Sequence, residues 1–195
     1  MSVKIERSDV PAVDAWVYPI IPSRAARNVL LVLIGSALLT LSAYVQVPFW
    51  PVKMSMQSAV VLLIGLTCGS RLGGVIVLAY LAQGAAGLPV FQSGGGLAYM
   101  SGSTGGYLLG FLMSATIVGA LVERGALRSW SRTGVALAAG VAAIYLPGIA
   151  WLAVLFGWEK SLAYGLYPFI PAELFKMALA FVLARLIASG TSRRA

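Results

Sequence analysis

The chain has 195 residues, 59% hydrophobic and only 10% charged, with a mean hydropathy of +0.89. That leaves too little polar surface to cover a water-soluble globule of this size, so the chain reads as an integral membrane protein. The absence of histidine and the single cysteine, Cys68, exclude an intramolecular disulfide, Cys/His metal centres, Ser-His-Asp triads and Cys-His dyads.

In chain order, residues 1–23 mix charge and proline with Trp16 and Tyr18, as a short tail meeting the membrane interface would. A single membrane domain is expected over residues 24–190, followed by a short tail, 191–195. Apolar runs mark Asn28 to Val47, Met56 to Thr67, Leu72 to Gly87, Gly106 to Val122, Val135 to Phe156 and Tyr167 to Ala188 as spans, the second being short. The first is long enough to be a retained helix rather than a cleaved signal peptide. Continuous apolarity, in place of alternation, predicts an all-α bundle of six transmembrane helices and not a β-barrel. The two prolines in Val47-Pro-Phe-Trp-Pro-Val52 interrupt helix, and Gly69-Ser-Arg-Leu-Gly-Gly74 reads as a tight inner turn.

With the chain starting inside, the expected cytoplasmic segments carry eleven lysines and arginines: Lys4, Arg7, Arg24, Arg27, Arg71, Arg124, Arg128, Arg132, Arg185, Arg193 and Arg194. The opposite face carries only Lys53 and Lys160, which predicts cytoplasmic termini. The net charge of +8 is thus a topology signal; no aromatic-basic surface module points to nucleic acid.

Three segments bear polar groups worth weighing. Glu173 and Lys176 stand three apart in the last span, on roughly one helix face, where each charge costs about 2.5 to 3.5 kcal/mol by insertion scales. They fit either a buried structural ion pair or the lining of a cavity for a polar solute. Lys53, Ser55 and Gln57 alternate, and so share a side if the chain is extended there; a glutamine bonding the start of a helix is the competing account. The glycine-rich loop from Gly87 to Tyr107 carries no nucleotide-binding motif and suits a cap over an external pocket, with Phe91 and Tyr99 as its apolar contacts. Small residues along Gly35 to Ala43 allow close approach of another helix, within this chain or from a partner.

Five ordered motifs are similar to those of the BioY family, the biotin-capturing components of energy-coupling-factor (ECF) vitamin transporters. They are Val47-Pro-Phe-Trp-Pro-Val-Lys-Met-Ser-Met-Gln57, Leu62 to Gly73, Gly84-Ala-Ala-Gly-Leu-Pro-Val-Phe91, Thr104-Gly-Gly-Tyr-Leu-Leu-Gly-Phe111 and Phe169-Ile-Pro-Ala-Glu-Leu-Phe-Lys176, spanning about Arg24 to Ala188. The resemblance implies a six-helix protein of the cell membrane that binds biotin from the outside, with Gln57, Glu173 and Lys176 in the pocket by motif match. The family usually has aspartate at the position of Glu173, and threonine is common at that of Ser55. The resemblance also implies partners: a membrane-embedded coupling subunit, docked through an Ala-x-x-x-Ala motif in helix one, and ABC-type ATPase subunits. The nearest pattern here is Ser36-x-x-x-Thr40 beside Ala37. No cofactor is expected, and biotin enters as transported ligand. Competing readings are capture of another vitamin, a structural membrane subunit, and a lipid-modifying enzyme; the last lacks a histidine to assist Glu173, so no enzymatic activity is expected.

Overall fold

The structure, a computed structural model, describes residues 23–47 and 52–192. The tail Met1 to Pro22, the proline turn at 48–51 and Arg193 and Arg194 lie outside the described residues. Helix α1 (Arg24–Tyr44) starts at Ser23, whose extended backbone and Oγ, accepting from the Ala26 amide at 3.4 Å, form an N-cap. A two-stranded antiparallel ribbon follows, β1 (Gln46–Val47) against β2 (Met54–Ser55), with Gln46 opposite Ser55 and Val47 opposite Met54.

Helix α2 (Gln57–Ala85) has 29 residues and would be about 43 Å long if straight. It is not straight: Gln57 Nε2 lies 2.7 Å from the Tyr80 hydroxyl, two groups that a continuous helix would hold about 34 Å apart. The reversal falls at Gly69, at φ 76° and ψ 180°, a conformation that a side chain would strain. The two expected spans Met56 to Thr67 and Leu72 to Gly87 are therefore the antiparallel limbs of one helical hairpin. Glu123 closes its turn, accepting from the Ser70 amide at 2.8 Å and from Ser70 Oγ, as a carboxylate does at a helix N-terminus.

A loop carrying the single helical turn α3 (Leu97–Met100) leads to α4 (Gly105–Glu123), which lies against both limbs of the hairpin and against α5 (Trp130–Phe156). Contact there is backbone-close: a methyl added to Gly110 would sit 2.6 Å from the Ile144 carbonyl oxygen. After a 3₁₀ turn (Ala126–Arg128), α5 begins five residues before the expected Val135 and continues through Pro147. Gly157, at φ 84°, separates it from α6 (Trp158–Gly165), a short helix in a stretch expected to be loop. A 3₁₀ turn (Tyr167–Phe169) then opens α7 (Ile170–Ser192).

Among the described residues, α1, α4 and α5 are long and apolar enough to cross a bilayer, as is α2 by its total length, which the reversal at Gly69 divides between two limbs. Polarity is distributed as lipid demands. Leu41, Leu146, Val154 and Phe175 are exposed while Gln57, Glu173 and Lys176 are buried. The hairpin turn, the α4–α5 turn with Leu127 accepting from Arg185, and the start of α1 share one end of the bundle, where the arginines gather. The ribbon, the 86–104 loop and the start of α7 share the other.

Candidate functional site

The second end holds a cavity of about 50 Å³ between the hairpin, α4, α5 and α7, closed over by the 86–104 loop. Its floor is a charged triangle. Glu173 Oε1 accepts from Lys176 Nζ at 2.7 Å and from Ser58 Oγ at 2.8 Å, and Lys176 Nζ also donates to Ser58 Oγ at 3.1 Å. All three side chains are buried, on two different helices. The helical spacing of Glu173 and Lys176 lets them meet, and the first limb of the hairpin brings Ser58 between them. The other carboxylate oxygen, Oε2, is buried without a well-formed hydrogen bond, with the Tyr145 hydroxyl close by.

A second network stands above the floor. The Gln57 side-chain amide donates to Tyr80, whose hydroxyl donates to the Val90 carbonyl at 3.1 Å. Gln57 Oε1 accepts from Ser55 Oγ at 3.2 Å and from Gln92 Nε2 at 3.1 Å. Val90 and Gln92 belong to the loop, so this amide ties loop to hairpin. Tyr44 donates to the Pro89 carbonyl, and Lys53 Nζ donates to Ser93 Oγ at 2.6 Å, fastening the loop to α1 and the ribbon. Phe91 is the apolar plug: it stacks on Tyr99 at 5.0 Å, meets Tyr80 edge-on at 5.4 Å and lies directly over Gly84.

Lys53, Ser55, Gln57, Phe91, Tyr99, Glu173 and Lys176 therefore all line one cavity. Of the three alternating residues only Ser55 lies in the extended β2 strand: Lys53 precedes it, and Met56, at φ −79° and ψ 0°, has left the strand before Gln57 opens α2. Ser58, Tyr80, Gln92 and Tyr145 complete it and were not foreseen; their signal was a hydroxyl or amide set in apolar or glycine-rich surroundings. The helix-one residues divide differently. Ser36 is buried, donating to the Leu33 carbonyl and accepting from Gln83 Nε2 at 3.2 Å, because α1 packs this small face on the hairpin. Thr40 returns its hydroxyl to the Ser36 carbonyl, and Ala37 alone of the three is exposed. The Ser36 hydroxyl is thus engaged within the chain, and the exposed part of the pattern is Ala37.

Fold and site define a helical integral membrane protein with a cavity between its helices, polar on the floor and aromatic above. Residues 11–193 match the BioY family, and the chain belongs to that family. It is 35% identical over 167 residues to the probable biotin transporter BioY of Pyrococcus horikoshii, covering 85% of this chain and 99% of that one. It is 34% identical over 154 residues to the biotin transporter BioY of Thermotoga maritima, covering 77% and 89%. Among solved structures, the S-component for biotin from an ECF-type ABC transporter shares the fold at a TM-score of 0.72 and 23% identity, covering 85% of this chain and 93% of that one.

Proposed function

We propose that this protein is the biotin-capturing component of an uptake transporter, with no enzymatic activity. The observation that carries the reading is the floor triangle of Glu173, Lys176 and Ser58, placed in a pocket of a chain whose relatives are named as biotin transporters. Biotin presents two ureido N–H donors and one carbonyl acceptor on a compact bicycle. Glu173 accepts from a ureido nitrogen, Lys176 has a donor left for the ureido oxygen, and Phe91, Tyr99 and Tyr107 give the thioether ring apolar walls. A cavity of about 50 Å³ is well below the ~300 Å³ of a typical small-molecule site, so the 86–104 loop shifts to admit ligand.

In this reading the hairpin contributes two crossings, giving six with α1, α4, α5 and α7. The arginine-rich end and both termini face the cytoplasm, and the pocket faces outward across the cell membrane. The chain works with a membrane-embedded coupling subunit and ABC-type ATPase subunits, docking through the exposed α1 face around Ala37, Leu33 and Leu41.

The test is binding of radiolabelled biotin to the purified protein in nanodiscs, with riboflavin and thiamin as competitors and with Glu173→Ala and Lys176→Ala as variants. Saturable binding displaced by biotin alone, and weakened in both variants while they stay folded, is expected. Displacement by riboflavin or thiamin would assign another vitamin. Undiminished affinity in both variants would return the pair to a purely structural role.

A further inference from the structure

We propose that Lys53, with Ser93 beside it, is the anchor for the ligand's carboxylate, so that biotin binds ureido ring down and tail toward the loop. This rests on the biotin reading and adds a direction and a specificity-determining residue to it. The charges that line the cavity are one carboxylate, Glu173, and two ammonium groups, Lys53 and Lys176. The pocket wall therefore carries one positive charge in excess, matching a ligand with a single anionic group.

The two lysines are not equivalent. Lys176 is buried and already 2.7 Å from Glu173 Oε1. A ligand carboxylate brought to it would stand next to the Glu173 carboxylate in a desolvated site, where two like charges cannot both be held without raising the energy of one. The net-neutral floor instead fits a neutral group bearing both donors and an acceptor. Lys53 is half-buried at the ribbon, and among the described residues its Nζ makes its contact with a neutral hydroxyl, Ser93 Oγ at 2.6 Å. Its charge is unneutralised there, and an ammonium with a serine hydroxyl alongside offers two donors to a carboxylate. Ser93 belongs to the loop and Lys53 to the ribbon, so an anion held between them also draws the loop onto the pocket.

The experiment compares biotin with biotinamide, in which a neutral carboxamide replaces the carboxylate, on wild-type protein, Lys53→Met, Lys53→Arg, Ser93→Ala and Lys176→Met in nanodiscs. In wild type, biotin is expected to bind at least tenfold tighter than biotinamide. Lys53→Met should collapse that ratio toward one by weakening biotin far more than biotinamide, Lys53→Arg should keep most of it, and Ser93→Ala should lower it partly. Lys176→Met should weaken both ligands alike. Equal binding of the two ligands by wild type, or a ratio that survives Lys53→Met and disappears in Lys176→Met, overturns the orientation and leaves biotin capture standing. Binding of neither ligand to folded wild-type protein refutes biotin capture itself, and the orientation with it.

Discussion

Gly84 is the point where the loop presses hardest on the hairpin, and Gly84→Ala tests whether that contact governs ligand retention. A methyl there would lie 1.9 Å from Phe91 Cζ and 2.3 Å and 2.5 Å from the two adjoining ring carbons. Ordinary carbon contacts need about 3.5 Å, so the ring must withdraw by about 1.6 Å. Phe91 is nearly inaccessible and held by rings on two sides, so withdrawal breaks its stacking with Tyr99 or its edge contact with Tyr80. Overpacking of this kind costs about 1 to 3 kcal/mol, and an aromatic pair contributes about 0.5 to 1.5. A net loss of about 2 to 3 kcal/mol in the closed state predicts roughly a 30- to 150-fold weaker biotin affinity, expressed mainly as faster release. Dissociation of radiolabelled biotin from nanodisc-held protein measures it. The pair Gly84→Ala with Phe91→Leu removes the clash and should bind better than Gly84→Ala alone, a non-additivity of opposite sign to independent damage. Release unchanged within twofold in Gly84→Ala would show that Phe91 moves freely and that the loop is not held there.

Two further expectations concern the rest of the molecule. Glu123→Ala uncaps the second limb of the hairpin at Ser70 and should lower stability by about 1 kcal/mol, seen as a reduced melting temperature, with biotin affinity unchanged because the turn lies at the end opposite the pocket; a loss of affinity at full stability would contradict it. Cysteine placed at Ser93 should react with a membrane-impermeant reagent on intact cells and cysteine at Ser129 should not, and the reverse pattern would invert the topology.

Composition, apolar runs and charge placement were enough for a helical membrane protein, because runs and placement are local properties of the chain, whereas the short β1–β2 ribbon left no such signal. The pocket was legible where polar groups stood out against hydrocarbon: Glu173, Lys176 and the alternating Lys53, Ser55 and Gln57. Ser58 was hidden because a serine in an apolar helix bonds its own backbone as readily as a neighbour, and only the packing of α7 on the first limb brings Glu173 within 2.8 Å. Tyr80 reads as a core aromatic until the reversal at Gly69 places its hydroxyl beside Gln57, 23 residues earlier. Ser36, whose spacing from Thr40 suggests a docking face, has its hydroxyl taken up by Leu33 and by Gln83 of the second limb, partners that only the packing of α1 on the hairpin reveals. Short α6 carries too few residues for a periodic signal, and its start is set by the positive φ of Gly157.

The ion pair on α7 also bears on how the protein is made. The hairpin that joins Gln57 to Tyr80 precedes the last helix in the chain, so one wall of the pocket is built from residues synthesised before Glu173. That helix must then carry two formal charges into hydrocarbon, a heavy burden for separate groups. Because Glu173 and Lys176 are three residues apart, they neutralise each other within a single turn, and Arg185 is left as the only other charge on the helix, at its opposite end. Ser58 on the hairpin completes the pairing, accepting one hydrogen from Lys176 and donating another to Glu173.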